Sequence, residues 1–369
     1  MARKLTSDKW LFLATLVLVC VSVVMVYSAS ALVALERFQQ PYLFLTKQLM
    51  WAAVGLALLS IVMRIDYRTY RNDRLIWGVL VMAAVLLVAV LFSRPVNGTR
   101  RWFGIGGFGI QPSELAKITA IFFTALVLER RRERINELGY ALLPIALIVG
   151  GLTGLILLEP DYGTAVSLLA VIAVMVFAAG FSYRYFLGAV LLALPALYVI
   201  LIQAEYRRRR LLAFLDPWAD PLGDGFQIIQ SIISVGTGGV FGKGLMNGVQ
   251  KLFYLPEPHT DFIFAVISEE TGLLGASIVL ACFSVIAWRG MRAASRAPDG
   301  FGAFLALGIT MMLVLQAFVN ISVVLGLLPT KGIPLPVVSF GGSSLLINLL
   351  GVGVLLNISQ HAEMEHGAA

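Results

Sequence analysis

The sequence predicts an all-α, polytopic integral membrane protein with about ten transmembrane helices. Of its 369 residues, 59% are hydrophobic and only 13% are charged, about half the roughly 25% charged residues of soluble domains. A soluble fold of this size cannot hide so much apolar surface, because even large domains leave much of their area in contact with water. The apolar residues also fall into separate runs that are long enough to cross a bilayer.

Ten apolar runs have close to the roughly 20 residues that a transmembrane helix needs. They are residues 10–35, 46–63, 75–92, 111–128, 139–158, 164–181, 185–203, 262–288, 301–328 and 343–358. The first run follows basic residues as a signal peptide would, but it is long for one and nine runs follow, so we interpret it as the first helix. We expect one membrane domain over residues 1–369.

The long segment 204–261, between the seventh and eighth helices, is expected to be an extracytoplasmic loop. Its apolar stretch Phe226–Val235 suggests short helices at the membrane interface. A loop of this length is usually functional or disordered.

The Lys and Arg residues of the short loops predict which side each loop occupies, because they accumulate in the cytoplasm. With the N-terminus in the cytoplasm, fifteen of them lie in cytoplasmic segments and six in short extracytoplasmic loops. Arg207–Arg210 oppose this orientation, although long loops count little in the rule. We therefore expect both termini in the cytoplasm. The net charge of +7 indicates contact with anionic lipid rather than a nucleic-acid partner.

Ionisable residues at membrane depth are costly, so they are candidates for function. In Gln111–Lys117, the side chains of Glu114 and Lys117 are three residues apart on one helix face and can pair. They are either a structural ion pair or part of a site, and a pair that lines a cavity is both. In Glu159–Thr164, Asp161 lies in a tight turn, for which solvated acids in a plain Pro/Gly turn are the alternative.

A third segment, Leu255–Phe262, enters the eighth helix at Asp261. An ordinary helix N-cap is one explanation of Asp261. Glu269 and Glu270 lie roughly 12 Å deeper along that helix, which capping alone does not explain. Desolvation raises the pKa of a carboxyl at a helix mouth, and a raised pKa suits a general base that works near neutral pH.

A fourth segment, Leu335–Ser344, contains Gly and Pro residues that would break a helix ahead of the last span. Its free backbone N–H groups suit a phosphate, and a flexible re-entrant connection is the alternative. Arg100 and Arg101, beside Trp102, offer guanidinium groups that can clamp phosphate. The outer face therefore combines cations for a pyrophosphate with carboxylates for proton removal or a divalent metal.

In order and spacing, these segments resemble the SEDS family (shape, elongation, division and sporulation), the FtsW/RodA group. The resemblance covers about residues 10–358. Its most specific parts are Arg101-Trp102, Gln111–Lys117, Glu159–Thr164, Asp216-Pro217-Trp218, Gly248–Phe262 with Glu269-Glu270, and Leu335–Ser344. Val249–Leu252 and Arg207–Arg210 are more similar to FtsW, the division branch, than to RodA, the elongation branch.

The resemblance implies a peptidoglycan glycosyltransferase that polymerises lipid II, the undecaprenyl-pyrophosphate-linked disaccharide-pentapeptide, into glycan strands for septal cell-wall synthesis. It implies the bacterial cytoplasmic (inner) membrane as location, with a class B penicillin-binding protein and other divisome proteins as partners. By matched motif, Asp261 is the catalytic carboxylate. The substrate-binding or site-organising residues implied in the same way are Glu114, Lys117, Asp161, Arg101, Glu269 and Ser343.

A divalent cation, Mg²⁺ or Mn²⁺, is the cofactor to test, and its ligands are not assigned. A lipid II flippase, a RodA-type elongation polymerase and a scaffold for the transpeptidase are the alternative functions. Buried charges and broken helices suit a transporter too. The motifs collect on the outer side, whereas a carrier needs access from both faces, so we favour the enzyme.

Overall fold

The computed structural model of the chain describes residues 7–95, 99–105, 108–185, 187, 188, 191, 195, 205–252, 254–330 and 332–366. In chain order, its bounded helices are α1 (Lys9–Phe38), α2 (Leu43–Val62), α3 (Asp73–Val90), α4 (Pro112–Arg131), α5 (Leu143–Leu158), α6 (Tyr162–Ala178), α7 (Glu205–Leu215), α8 (Phe226–Gly238), α9 (Ile263–Arg296), α10 (Gly300–Val324) and α11 (Gly342–His366). Between α3 and α4, strands β1 (Phe103–Ile105) and β2 (Phe108–Ile110) form an antiparallel hairpin. The prediction of an all-α fold is confirmed.

Nine of the ten predicted spans coincide with helices in the described residues, and the span 185–203 lies almost entirely outside them. By length and composition, seven helical segments in the described residues can cross a membrane, one of them α5 together with the π-helical turn Leu138–Leu142 that precedes it. Of the other two predicted spans, α6 is apolar but has only 17 residues, and α4 carries Glu114 and Lys117 within its first two turns.

The centre of the bundle is α11, which packs against α2, α4, α9 and α10. In the most apolar 18 residues of each helix, 89% of the residues of α11 and 67% of those of α10 are buried, against 28% in α2 and in α3. An apolar helix that is buried on every side belongs to the core of the protein, and one that is mostly exposed offers its apolar surface to lipid. Several polar side chains within these helices therefore lie inside the protein, namely Glu114 and Lys117 of α4, Gln316 and Asn320 of α10 and Asn348 of α11.

Side-chain contacts at one end of the bundle join segments that the charge distribution assigns to the cytoplasm. Asp8, the N-cap of α1, pairs with Arg289 near the end of α9. The Asn357 Oδ1 atom of α11 accepts a hydrogen bond from Tyr67 N at 2.9 Å. The opposite end holds the segments predicted to be extracytoplasmic. The structure therefore supports the predicted grouping of the loops, and the side that faces the cytoplasm stays a prediction.

The long helix α9 is interrupted at Gly272, whose φ of 65° and ψ of −161° are non-helical. The chain that follows α8 inserts at this break: Lys243 N donates to Glu269 O and Gly244 N donates to Glu270 O, each at 3.0 Å. On the other side of the break, Leu273 N donates to Gly239 O at 2.9 Å. The predicted span 262–288 therefore coincides with α9, which is broken at Gly272 and extends beyond the predicted end to Arg296.

The predicted short helix at Phe226–Val235 is confirmed as α8, which packs against α9 and α10. Ser231 Oγ donates to Val324 O at 2.7 Å, and Ser234 Oγ donates to Ala265 O at 3.0 Å. A Cβ atom on Gly238 would lie 2.0 Å from Ser268 O, so only glycine permits this approach to α9. Thus α8 is part of the packed bundle at the end where α9 begins.

Candidate active site

Asp261 lies in the turn directly before α9, where the sequence places it. The N-cap of α9 is Phe262, and no side chain caps the helix, so the explanation of Asp261 as an N-cap is wrong. Its carboxylate lies against the backbone of Gly332. A Cβ atom placed on that glycine would be only 3.0 Å from Asp261 Oδ2. The carboxylate is therefore placed by tertiary contacts rather than by its own helix.

Burial raises the pKa of Asp261 from its ordinary value of 3.8 to about 7. The negative charges of Glu257 and Asp161 raise this pKa further, and the guanidinium groups of Arg101 and Arg210 oppose them. The desolvation of a partly buried carboxyl is thus only partly offset by cations. A carboxyl of this kind exchanges a proton near neutral pH, as a general base must.

Asp161 is the N-cap of α6 and is 4% exposed. It accepts hydrogen bonds from Thr164 N at 3.2 Å, Thr164 Oγ1 at 2.8 Å and Gln111 Nε2 at 3.0 Å. The Arg101 Nη1 atom lies 4.0 Å from Asp161 Oδ1. The alternative of solvated acids in a plain turn is therefore wrong, because the turn carries a buried and hydrogen-bonded carboxylate.

Arg101 is fixed by the backbone of the same turn. Its Nε donates to Glu159 O at 2.9 Å and its Nη2 donates to Pro160 O at 2.6 Å. The Glu159 side chain is fully buried, and neither of its oxygens has a hydrogen-bond partner among the described residues. Burial raises the pKa of Glu159 to about 8, with the charge of Asp161 adding to the rise and Arg101 opposing it. Glu159 is therefore mostly protonated at neutral pH.

The predicted ion pair of Glu114 and Lys117 forms, with Lys117 Nζ 2.9 Å from Glu114 Oε1 and both side chains buried. Lys117 Nζ also donates to Gln316 Oε1 of α10 at 3.0 Å. Gln111 N, at the start of α4, donates to Ser343 Oγ of α11 at 3.2 Å. The first turns of α4 therefore connect to both α10 and α11.

Two amides on α10 that the sequence analysis missed lie between these motifs. Gln316 Nε2 donates to Pro334 O at 2.9 Å. Asn320 Nδ2 donates to Ile333 O at 2.7 Å and to Asp261 O at 2.8 Å. An uncharged amide in an apolar run carries no ionisable signal, and the only available sign was two polar residues spaced i and i+4 on a buried helix.

The fourth segment, Leu335–Ser344, is joined to the residues just before Asp261. Ser339 Oγ donates to Thr260 O at 2.6 Å and accepts from Leu335 N at 2.8 Å. Phe340 N donates to His259 O at 2.9 Å. The structure therefore brings the second, third and fourth motifs together at one end of the bundle.

Glu269 makes its contacts elsewhere. Its carboxylate lies 2.8 Å from Lys243 Nζ and accepts from Val249 N at 2.9 Å and Gln250 N at 3.2 Å. The neighbouring Glu270 lies 2.5 Å from Lys251 Nζ. These two carboxylates hold the chain that leads from α8 to Asp261, so Glu269 organises that loop from a separate position on α9.

Among the described residues, no group of three or more His, Cys, Asp or Glu side chains forms a metal site. Mg²⁺ is commonly held by one or two protein carboxylates together with substrate phosphates and water. The charge of Asp161 contributes to the raised pKa of Asp261. The buried carboxylate of Asp161 offers one oxygen ligand of this kind, although it already accepts bonds from Thr164 and Gln111.

Known proteins are similar to this chain over nearly its whole length. The model of the FtsW/RodA/SpoVE family, described as cell cycle protein, matches residues 9–364. The chain is 45% identical over 357 residues to the probable peptidoglycan glycosyltransferase FtsW of Geobacter sp. (strain M18), covering 95% of this chain and 96% of that protein. It is 42% identical over 365 residues to the stage V sporulation protein E of Bacillus subtilis (strain 168), covering 98% and 99%.

Solved structures show the same fold. A chain of a peptidoglycan synthase complex, described for its structural coordination of polymerization and crosslinking, matches with a TM-score of 0.79 and 32% identity, covering 97% of this chain and 99% of that chain. The rod shape determining protein RodA of Thermus thermophilus matches with a TM-score of 0.71 and 28% identity, covering 96% and 97%. This chain belongs to the FtsW/RodA/SpoVE family of cell cycle proteins and is an FtsW-like integral membrane protein.

Proposed function

We propose that the chain is a peptidoglycan glycosyltransferase that polymerises lipid II into glycan strands for septal cell-wall synthesis during cell division. The observation that carries the proposal is the position of Asp261, whose carboxylate lies against Gly332 at one end of the bundle and is influenced by the charges of Arg101 and Arg210. The similarity to a relative named as a probable peptidoglycan glycosyltransferase, over 95% of the chain, supports it.

The reaction needs a base for the acceptor and stabilisation for the leaving group. The acceptor sugar hydroxyl attacks the anomeric carbon of the donor, the bond from that carbon to the lipid pyrophosphate breaks, and the carboxylate of Asp261 takes the hydroxyl proton. A single displacement of this kind inverts the anomeric configuration. Arg101 and Arg210 place positive charge near the carboxylate, where it stabilises the departing pyrophosphate.

A divalent cation, Mg²⁺ or Mn²⁺, would be held by Asp161 together with oxygens of the pyrophosphate and water, which leaves Asp261 free to take the proton. When bound, the ion supplies additional positive charge to the leaving group. Glu114, Lys117 and Ser343 take no part in proton transfer in this proposal. They hold the helices whose ends form the site.

The partners follow from the same assignment. A class B penicillin-binding protein would supply transpeptidation, and the similarity to a chain of a peptidoglycan synthase complex supports this partner. We place the chain in the cytoplasmic membrane at the division septum, with Asp261 on the periplasmic side and both termini in the cytoplasm. Labelling of a cysteine introduced at exposed Glu257 by a membrane-impermeant reagent from the periplasm tests this orientation.

A lipid II flippase is the competing function. Asp161, Arg101 and Asp261 lie together at one end of the bundle, whereas a carrier needs a site near the midplane with access from both sides. Purified chain reconstituted in vesicles with lipid II, with and without the cognate transpeptidase, separates the two functions. We expect glycan polymer without translocation of lipid II. Translocation without polymer would instead show that the chain is a flippase.

A further inference from the structure

We propose that Asn320 and Gln316 of α10 are positioning residues that hold the segment Gly332–Leu335 and the backbone of Asp261 in one arrangement. The inference rests on the proposed glycosyltransferase function. Both amides are 2% exposed, and their spacing of four residues places them on one face of α10. Their role is to fix the space in front of the catalytic carboxylate rather than to contact substrate.

Asn320 joins two distant parts of the chain through one amide nitrogen. Its Nδ2 donates to Asp261 O at 2.8 Å and to Ile333 O at 2.7 Å, so both of its protons are used. Gly332, the neighbour of Ile333, lies directly against Asp261 Oδ2. A displacement of this segment therefore changes the surroundings of the carboxylate itself.

Gln316 extends the same support by one residue and connects it to the ion pair on α4. Its Nε2 donates to Pro334 O at 2.9 Å, and its Oε1 accepts from Lys117 Nζ at 3.0 Å. Lys117 in turn is held by Glu114. The buried pair therefore orients an amide that holds the segment beside Asp261, which gives Glu114 and Lys117 a route to the site without contact with substrate.

The segment needs these outside donors because of its own sequence. Two prolines, Pro334 and Pro336, supply no backbone N–H, so the segment cannot form a regular hydrogen-bonded ladder and its carbonyls need donors from elsewhere. A buried carbonyl group without a donor is costly, because it has lost its hydrogen bonds to water. The amides of α10 satisfy the carbonyls of Ile333 and Pro334 in succession and thereby determine the path of the segment.

Asn320→Ala removes the shared donor, and Asn357→Ala is the matched control. Asn357 is also 2% exposed and also donates to a backbone carbonyl, Met63 O at 3.0 Å, but at the opposite end of the bundle. A misplacement of about 1 Å in an active site costs on the order of 100-fold in rate. We expect Asn320→Ala to lower kcat for lipid II polymerisation at least tenfold with KM within about twofold, and Asn357→Ala to leave both within about twofold.

Hydrogen exchange tests the positioning without reference to catalysis. We expect faster amide exchange in peptides covering 255–263 and 332–340 of Asn320→Ala, and unchanged exchange there in Asn357→Ala. If the wild-type chain makes no polymer, the proposed function fails while this exchange result still stands. Unchanged exchange in both peptides of Asn320→Ala would overturn the positioning role.

Gln316→Met gives a second variant of similar shape that lacks the donor to Pro334. We expect faster exchange confined to 332–340 and a smaller fall in kcat than for Asn320→Ala. Equal losses of kcat and thermal stability in Asn320→Ala and Asn357→Ala would show a general effect on folding and would overturn the proposal. So would a normal kcat in Asn320→Ala despite faster exchange.

Discussion

The pH dependence of polymerisation follows from the pKa of Asp261, which burial raises to about 7. Because the raised pKa favours the protonated form, the base is available only as the pH rises through that value. A group with a pKa of about 7 is about one-eleventh deprotonated at pH 6 and about ten-elevenths at pH 8. We therefore expect the initial rate at saturating lipid II to rise roughly tenfold between these two values.

Glu257→Gln is the perturbation that connects this profile to Asp261. Glu257 is exposed, and its charge raises the pKa of Asp261, so its removal moves the midpoint to lower pH. Because solvent screens the exposed carboxylate of Glu257, its interaction with Asp261 is about 1 kcal/mol or less, and 1.36 kcal/mol corresponds to one pH unit. We expect the midpoint to fall by roughly 0.5.

The control is Glu133→Gln, which removes an exposed acid at the opposite end of the bundle and uses the same substrate. Its pH–rate profile should coincide with that of the wild type. Because both proteins use the same substrate, any titration of lipid II itself affects both profiles equally. A rate that does not change between pH 6 and pH 8, or a Glu257→Gln midpoint displaced to higher pH, would refute the assignment.

Three further outcomes concern stability. Since the pKa of Asp261 is raised on folding, its contribution to stability is present below pH 4 and is lost as the pH rises through about 7. Thermal melting in detergent should therefore show that Asp261→Asn is more stable than wild type at pH 8 and equal to it below pH 4. The difference at pH 8 should be no more than about 4 kcal/mol, and less because the group is partly exposed. Lys251→Met leaves buried Glu270 without its cation and should cost about 3–5 kcal/mol in the free energy of unfolding, which Glu270→Gln in the same chain should partly restore; an unchanged melting temperature would contradict the pairing. Gly272→Ala places a Cβ atom 2.3 Å from Gly242 N at a φ of 65° and should sharply lower the melting temperature and the yield of folded protein, whereas Gly150→Ala meets open space and should match the wild type.

Much of the fold was predictable because a membrane span is a local property of the sequence. Run length and composition located nine of the helices, and the three-residue spacing of Glu114 and Lys117 predicted their contact. Chain order alone could not predict the break in α9. A single glycine such as Gly272 is tolerated in a helix at a cost of about 1 kcal/mol, and the break depends on backbone groups of Gly239–Gly244, far away in sequence.

Part of the candidate site was also predictable from local sequence. Asp161 and Asp261 were identified because acids near apolar runs are conspicuous, and the structure brings their charges together. The partners of Glu269, which are Lys243 and two backbone N–H groups, depend on a tertiary approach that spacing does not encode. Asn320 was not predicted, because its contacts are to backbone carbonyls, which every residue has.

The central claim is that the carboxylate of Asp261 removes the proton from the acceptor hydroxyl. The most direct measurement is the rate of lipid II polymerisation by Asp261→Asn, assembled with its cognate transpeptidase and matched to wild type in complex yield. General base catalysis contributes about 10²–10⁴-fold, so we expect a loss of at least 100-fold. A variant that keeps more than about a tenth of the wild-type rate would contradict it.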